Sequence, residues 1–382
     1  NTYNWSFAAA GVTNAWVGAV STDWGAGGNW DQGRSPIPQD VAVVISNGCP
    51  FYPILTAAKT VNELIVRSGG VLTLNGNYFD VYGNAAIAGN LIASGIETIR
   101  FLGNLDFTGG SFGRANSTVV VAGTNAQSVT SAGKAFWDLV VTNVAAPVTF
   151  TDALQVERYR SEGATVRYEG GFTGAEFRVT VSDSSVTQTF ATAATYAVKR
   201  FYVLGATNRT IHLQSAGGDW LLNVEKLASV RYVDVERSDA RGGKSIAPLS
   251  STDSGNNQNW IFGAPWSVWL GDSSTDYDTA GNWDPPGVPG PAARLLVDDP
   301  TELIMGQPHI VAEVVVGGST TAVMTANAAL TLTGGVTVAR DGSLRLNRPG
   351  NVVSNDVLVL ERGRLTHSGN VATEVNKLDL AI

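Results

Sequence analysis

From Val61 to Phe101 the chain reads VNELIVRSGGVLTLNGNYFDVYGNAAIAGNLIASGIETIRF. Its apolar residues come in short bursts: Glu63-Leu64-Ile65-Val66, Val71-Leu72-Thr73-Leu74, Phe79-Asp80-Val81, Ala86-Ile87 and Thr98-Ile99-Arg100-Phe101. Gly, Asn, Asp or Ser separates one burst from the next. Short strands with turns at such dense, even spacing predict a β-solenoid, in which successive rungs stack on one another. A phrase of apolar, any residue, acidic or basic, Leu, apolar, Val recurs at Val61–Val66, at Phe136-Trp137-Asp138-Leu139-Val140-Val141 and, with Asp379 and Leu380 in its last two places, at Val375-Asn376-Lys377-Leu378-Asp379-Leu380, and is taken as a rung start. The run from Ala329 to Val338 repeats the idiom, with Gly334-Gly335 at a corner that a Cβ would obstruct. Thr187 to Arg200 is the one stretch compatible with a helix.

Outward from this body lies a second, longer repeat. Trp-Val-Gly-Ala-Val-Ser-Thr-Asp-Trp-Gly-Ala-Gly-Gly-Asn-Trp-Asp, from Trp16 to Asp31, returns as Trp-Leu-Gly-Asp-Ser-Ser-Thr-Asp-Tyr-Asp-Thr-Ala-Gly-Asn-Trp-Asp, from Trp269 to Asp284. Trp24 becomes Tyr277, and no gap is needed. Just upstream of each copy, Asn4-Trp5-Ser6-Phe7 matches Asn259-Trp260-Ile261-Phe262. Trp5, Trp16, Trp24, Trp30, Trp260, Trp266, Trp269 and Trp283 all fall in these two seams; of the ten tryptophans only Trp137 and Trp220 sit in a body. The division that follows is 1–13 as the tail of a preceding module and linker, 14–263 as a complete module with the seam at its start, and 264–382 as a second, partial module. For 382 residues, two or three ordinary domains would be the default; the repeat replaces that division.

Composition agrees with an all-β chain. Charged residues make up 15%, hydrophobic residues 44%, and glycines number 43, which argues against disorder and against a helix-rich enzyme. The net charge is −8, and no run of Lys and Arg occurs along the chain, which argues against a nucleic-acid surface and disfavours anionic partners. No apolar run is long enough to span a bilayer, and Asn1-Thr2-Tyr3-Asn4 lacks the basic start of a signal peptide.

At the seams, and just before them, the sequence resembles secreted bacterial repeat proteins with right-handed parallel β-helix domains, the class of autotransporter passengers and filamentous-haemagglutinin-like adhesins. The resemblance rests on Trp16-x-Gly18, Ser21-Thr22-Asp23-Trp24, Asn29-Trp30 and Pro36-x-Pro38-x-Asp40-x-Ala42-Val43. The closing stretch from Val233 to Gly243, Ser251 to Asn257 and Asn259-Trp260 carry it further. It implies the fold, its handedness and an extracellular, cell-surface address, and it implies no activity, because this fold hosts scaffolds, adhesins and polysaccharide enzymes alike.

The residues themselves offer several chemistries. Asp23, Asp31, Asp272, Asp276, Asp278 and Asp284 crowd the seam loops and could supply oxygens to calcium, but Asp272 and Asp278 stand where the first copy has Ala19 and Gly25, so turn capping is preferred. Asp234 and Glu236 with Arg231 and Arg237, and the trio Arg158, Arg160 and Arg167, are the candidates for polysaccharide cleavage. Each has a plain reading as a solvent-facing ion pair. His212, His309 and His367 lie far apart with no nucleophile motif, and Cys49, the single cysteine, is read as a small buried residue.

The expectation is therefore an all-β protein of parallel β-helix (β-solenoid) modules joined by Trp-rich seams. Its expected role is structural and non-enzymatic: an extracellular component of a surface layer, filament or adhesin, without a cofactor. The strand edges at Val375–Ile382 suggest head-to-tail partners, either copies of itself or further modules. The seam rings Trp5, Trp16, Trp24, Trp30, Trp260, Trp266, Trp269, Tyr277 and Trp283 are read first as interface anchors that cover the open end of one solenoid stack and orient the next; alternatives are a glycan-binding adhesin that stacks sugars on these same rings, and a β-helix polysaccharide lyase or hydrolase.

Overall fold

A computed structural model describes residues 11–382 apart from 41, 244–245, 263–265, 318–320, 340, 349, 360–361, 368–372 and 381–382. The chain divides into two compact units, Asn1–Phe262 and Gly263–Ile382. Both are parallel β-solenoids, with about 14 turns between them.

In the first unit the strands form parallel sheets of 12, 10 and three strands. Stacking one rung on the next sets side chains of like position in columns. Phe79, Ile99, Val119, Leu139, Tyr159, Phe177 and Phe201 occupy successive rungs of one inward column, all buried. Fully burying one such side chain contributes roughly 1.5–3 kcal/mol. The later rungs widen to admit rings, and a second column runs Phe150, Tyr168, Phe190, Trp220 with centroids 5.7, 5.3 and 4.0 Å apart and planes within 16°. The Tyr168 hydroxyl lies 2.7 Å from that of Tyr159 and 3.0 Å from Gln188 Oε1, so the two columns share one buried polar link. Burial pushes both tyrosines well above the usual phenol range, and Tyr196 up to about 12.

Corners are built from Asn and Gly. The Asn104 N–H donates to Asn84 Oδ1 at 3.0 Å, and the Ser128 N–H to Asn104 Oδ1 at 2.8 Å, a ladder that passes one hydrogen bond per rung. Gly103 stands directly over Gly83, where a Cβ would come within 2.3 Å of the Gly83 carbonyl group. The anticipated corner at Gly334 obeys the same rule, since its Cβ would meet the Ala312 oxygen at 2.5 Å.

Two expectations need correction. Thr187 to Arg200 is not helical: it lies in strands Val186–Phe190 and Thr195–Leu204, joined by a turn in which Ala193 has φ of 57°. Val186, Gln188 and Phe190 all point inward, and the polar Gln188 in that set hid the period of two. Nor does the recurring phrase mark one point of the rung. Leu64–Val66 belongs to the 12-stranded sheet and Ala135–Val141 to the 10-stranded one, so the phrase records which of its residues enter the core, the first, fourth and sixth, and not a place on the rung.

Among the described residues of the first unit four carboxylates are buried, those of Asp40, Glu97, Asp138 and Glu176. Burial drives the Asp40 carboxyl upward, but Arg34 at 2.8 and 3.0 Å and the N–H groups of Ile37 and Val12 outweigh it, and the net shift is down. Glu97 likewise gains more from the N–H groups of Ser94, Gly76 and Gly95 than burial takes away. A carboxyl whose pKa falls on folding contributes stability that is whole above its unfolded value, about 4, and is lost as pH drops through the folded value. The melting temperature of the first unit is therefore expected to fall steeply below about pH 4, with a shallower slope in Asp40→Asn. A melting temperature that stays constant through this range contradicts the assignment.

The second unit has a nine-stranded and a four-stranded sheet around Leu303, Met305, Met324, Leu344 and Leu346. At the start of each unit one antiparallel contact interrupts the parallel order: Trp16 with Trp30 in the first, Trp269 with Trp283 in the second.

Candidate functional site

The copied seam folds into a compact knot on the first strand of each unit. In the first copy the chain leaves strand Thr13–Trp16, passes a short 3-10 turn at Gly27–Asn29 and returns antiparallel. Asn29 is fully buried at its centre. Its Oδ1 accepts the N–H groups of Val20 and Ser21 at 2.8 and 2.9 Å, while Nδ2 donates to Ser21 Oγ and the Asp23 carbonyl at 3.2 and 2.9 Å. One amide thus satisfies four groups of a loop with almost no regular structure.

Three indoles pack beside it. Trp16 and Trp24 each meet Trp30 edge-on, at 5.0 and 4.8 Å, and Trp24 continues to Phe79 of the rung column at 5.9 Å. Trp30 Nε1 donates to the Trp24 carbonyl and Trp16 Nε1 to that of Phe51. Edge-on ring pairs of this kind add about 0.5–1.5 kcal/mol each beyond the area they bury.

The second copy reproduces this arrangement bond for bond. Asn282 accepts from Ser273 and Ser274 at 2.8 and 2.9 Å and donates to Ser274 Oγ and the Asp276 carbonyl. Trp283 meets Trp269 and Tyr277 at 5.1 Å each, donating to the Tyr277 carbonyl, and Trp269 donates to that of Thr301. The swap of Trp24 for Tyr277 adds a hydroxyl, which finds the Pro289 carbonyl at 2.9 Å, and leaves room for His309, whose ring lies tilted against it with centroids 4.1 Å apart. Burial pushes the Tyr277 phenol upward.

The knot also seals a sheet edge. Asp31 donates its N–H to the Ala15 carbonyl at 2.9 Å and accepts the Ala15 N–H on its carboxylate at 2.8 Å, while the Val17 N–H donates to the Asn29 carbonyl. The outer edge of the first strand is thereby occupied, one of the ways a protein blocks strand addition.

Sugar stacking on the seam rings has no geometric basis in the described residues. Trp16, Trp24, Trp30, Trp269, Tyr277 and Trp283 are at most 2% exposed, and Trp266 is buried with Arg294 over its ring at 4.3 Å. Trp260 stacks on Phe262 at 5.8 Å and packs on the first unit's core, so Asn259–Phe262 closes that unit. Trp5 lies outside the described residues. The seam aspartates serve their turns: Asp23 Oδ1 accepts the Gly25 N–H and Asp276 Oδ1 the Asp278 N–H. Among the described residues no group of three or more His, Cys, Asp or Glu is placed to hold a metal ion.

The other candidates separate. Arg158 and Arg160 converge on Asp138, whereas Arg167 pairs with Glu169 on another sheet, so the arginine trio is not one cluster. Asp234 faces His212 at 3.2 Å, and Glu236, beyond the end of strand Val233–Val235, pairs with Arg237 at 3.4 Å. His367 is exposed on strand Arg364–His367. Cys49 is half-buried against the core, its thiol 3.3 Å from the Ser46 carbonyl oxygen. Asn29 and Asn282, the hubs of both knots, stood in the matched residues but were not singled out; their identity across a gap-free repeat was the available signal. Comparison with protein-family models, with curated proteins and with solved structures finds no match for this chain.

Proposed function

We propose that the chain is a structural, non-enzymatic extracellular protein, a repeat-built component of a surface layer, filament or adhesin of the kind its seams resemble. The observation that carries this reading is the copied knot: the same amide hub and ring trio, on the same antiparallel return, open both solenoid units. A catalytic site is free to occur once per chain. A terminal cap, by contrast, must be supplied for every solenoid that is added to an array, because each one begins with an open strand edge and an exposed core. Copying the cap with its unit is what a protein extended by modules requires.

In this reading the rods bear load. Rungs stacked about 4.8 Å apart have their backbone groups paired along the axis, which makes a stiff element from short strands. The partners are further modules or other copies, joined through side chains, since Asp31 and its neighbours already occupy the first strand edge. Electron microscopy of the purified protein at high concentration is the test. Rods that associate end to end support the reading, and a protein that stays monomeric while turning over a panel of glucans or uronates overturns it.

A further inference from the structure

An asparagine followed by glycine can close on its own backbone, because glycine has no side chain to hinder the approach of its amide nitrogen. The chain holds two such pairs, Asn47-Gly48 and Asn75-Gly76, each at a corner where the glycine has positive φ, 83° and 80°. Their surroundings differ.

At Asn47 the fold supplies a hydroxyl. Tyr52 is half-buried, and its phenol oxygen accepts the Gly48 N–H at 3.3 Å. The single phenol proton has two acceptors in reach, Asn47 Oδ1 at 3.1 Å and the Gly69 carbonyl of the next rung at 2.9 Å. The Asn47 side chain is pressed onto the same corner, since a Cβ on Gly69 would come within 2.5 Å of Asn47 Cγ. One oxygen therefore touches both the nitrogen that would attack and the carbonyl that would be attacked. Asn47 and Gly48 are exposed, so water reaches them.

At Asn75 the same two groups are drawn apart. The Gly76 N–H donates to Glu97 Oε1 at 2.7 Å, while Asn75 Nδ2 donates to the Leu55 carbonyl at 3.3 Å. Glu97 is buried and also accepts the N–H groups of Ser94 and Gly95. A carboxylate satisfied so fully is a weak base.

We propose that Asn47 is a site of self-modification, closing to a cyclic imide and opening to aspartate and isoaspartate, with Tyr52 as the proton carrier. The Gly48 nitrogen forms a bond to Asn47 Cγ. Its proton passes to the Tyr52 oxygen as the phenol proton passes to Oδ1, which leaves a neutral tetrahedral carbon bearing a hydroxyl and an amino group. The amino group then departs as ammonia, taking the hydroxyl proton, and the carbonyl returns. Water adds to either imide carbonyl and opens the ring. Aspartate keeps the original chain, whereas isoaspartate routes the backbone through the side-chain carboxyl and lengthens it by a methylene. Both products add a negative charge. The altered loop contains Phe51, whose carbonyl accepts the Trp16 Nε1–H at 2.7 Å, so the change falls on a support of the first cap.

Peptide mapping of the full chain at neutral pH tests this, with mass spectrometry to find each lost amide and isoaspartyl methylation to mark the rearranged product. Asn47 is expected to convert about tenfold faster than Asn75. Tyr52→Phe is expected to slow Asn47 about tenfold, the cost of losing one hydrogen bond to the oxygen on which charge develops. A phenol that only clamped the corner would have the opposite effect, because its removal frees the loop and speeds ring closure. In denaturant the two sites should convert at like rates, and Tyr52→Phe should match the unaltered chain. An intact Asn47, an Asn47 no faster than Asn75, an unchanged or faster rate in Tyr52→Phe, or a Tyr52→Phe effect that persists in denaturant would each overturn the proposal.

Discussion

Replacing Asn29 by alanine is expected to destabilise the first unit by about 3–5 kcal/mol, an effect far larger than a single exposed hydrogen bond would give. The side chain is fully buried and serves four groups, two backbone N–H donors, one hydroxyl and one carbonyl. Alanine leaves all four unsatisfied at once, at about 1–3 kcal/mol each before relaxation, and water can reach only some of them. The loop between Trp16 and Trp30 has little else to hold it, since its one regular element is the three-residue turn at Gly27–Asn29. Its loss also frees Trp24, which is otherwise packed between Trp30 and Phe79. Asn282→Ala should do the same to the second unit through Ser273, Ser274 and Asp276. Denaturant unfolding followed by tryptophan fluorescence measures both, and each variant is expected to move the transition of its own unit. A loss below about 1 kcal/mol in either variant would remove the amide from its place at the centre of the cap.

The sequence made the class of fold readable because a solenoid repeats its local rules. Short apolar bursts closed by Gly and Asn report the alternation and the corners, and both appear in the inward columns and in the Asn84–Asn104 ladder. What the sequence concealed is the set of contacts made between rungs. Arg158 and Asp138 are distant in the chain and adjacent in space, so a linear reading does not find the ion pairs made between rungs. Gln188 is polar and inward, satisfied by the Ala164 carbonyl at 2.8 Å as well as by Tyr168, and it broke the pattern that would have marked its strand. The seam was legible as a unit and ambiguous as a surface. Tryptophans at fixed spacing suit a sugar platform or a cap equally, and only their burial decides between the two.

Opening the edge seal should change how the protein associates. In the double variant Trp30→Ala, Asp31→Pro the second substitution removes both the N–H that donates to Ala15 and the carboxylate that accepts from it, and the first removes the ring that pins the returning strand against Trp16. Strand Thr13–Trp16 then presents an unpaired N–H and carbonyl at the edge of a 12-stranded sheet. Such an edge is a template for another chain, and parallel strands stacked in register extend readily by addition of a further strand. Light scattering is expected to show concentration-dependent association beyond that of the unaltered protein, with amide exchange at Ala15 faster at low concentration and slowed on association. Unchanged scattering together with fast exchange at Ala15 would mean that the open edge is tolerated, and that the seam is retained for the stability of its ring trio alone. The seal and the ring trio can be separated by Asp31→Ala, which keeps the N–H donor and all three indoles; intermediate association in that variant assigns part of the protection to the carboxylate itself.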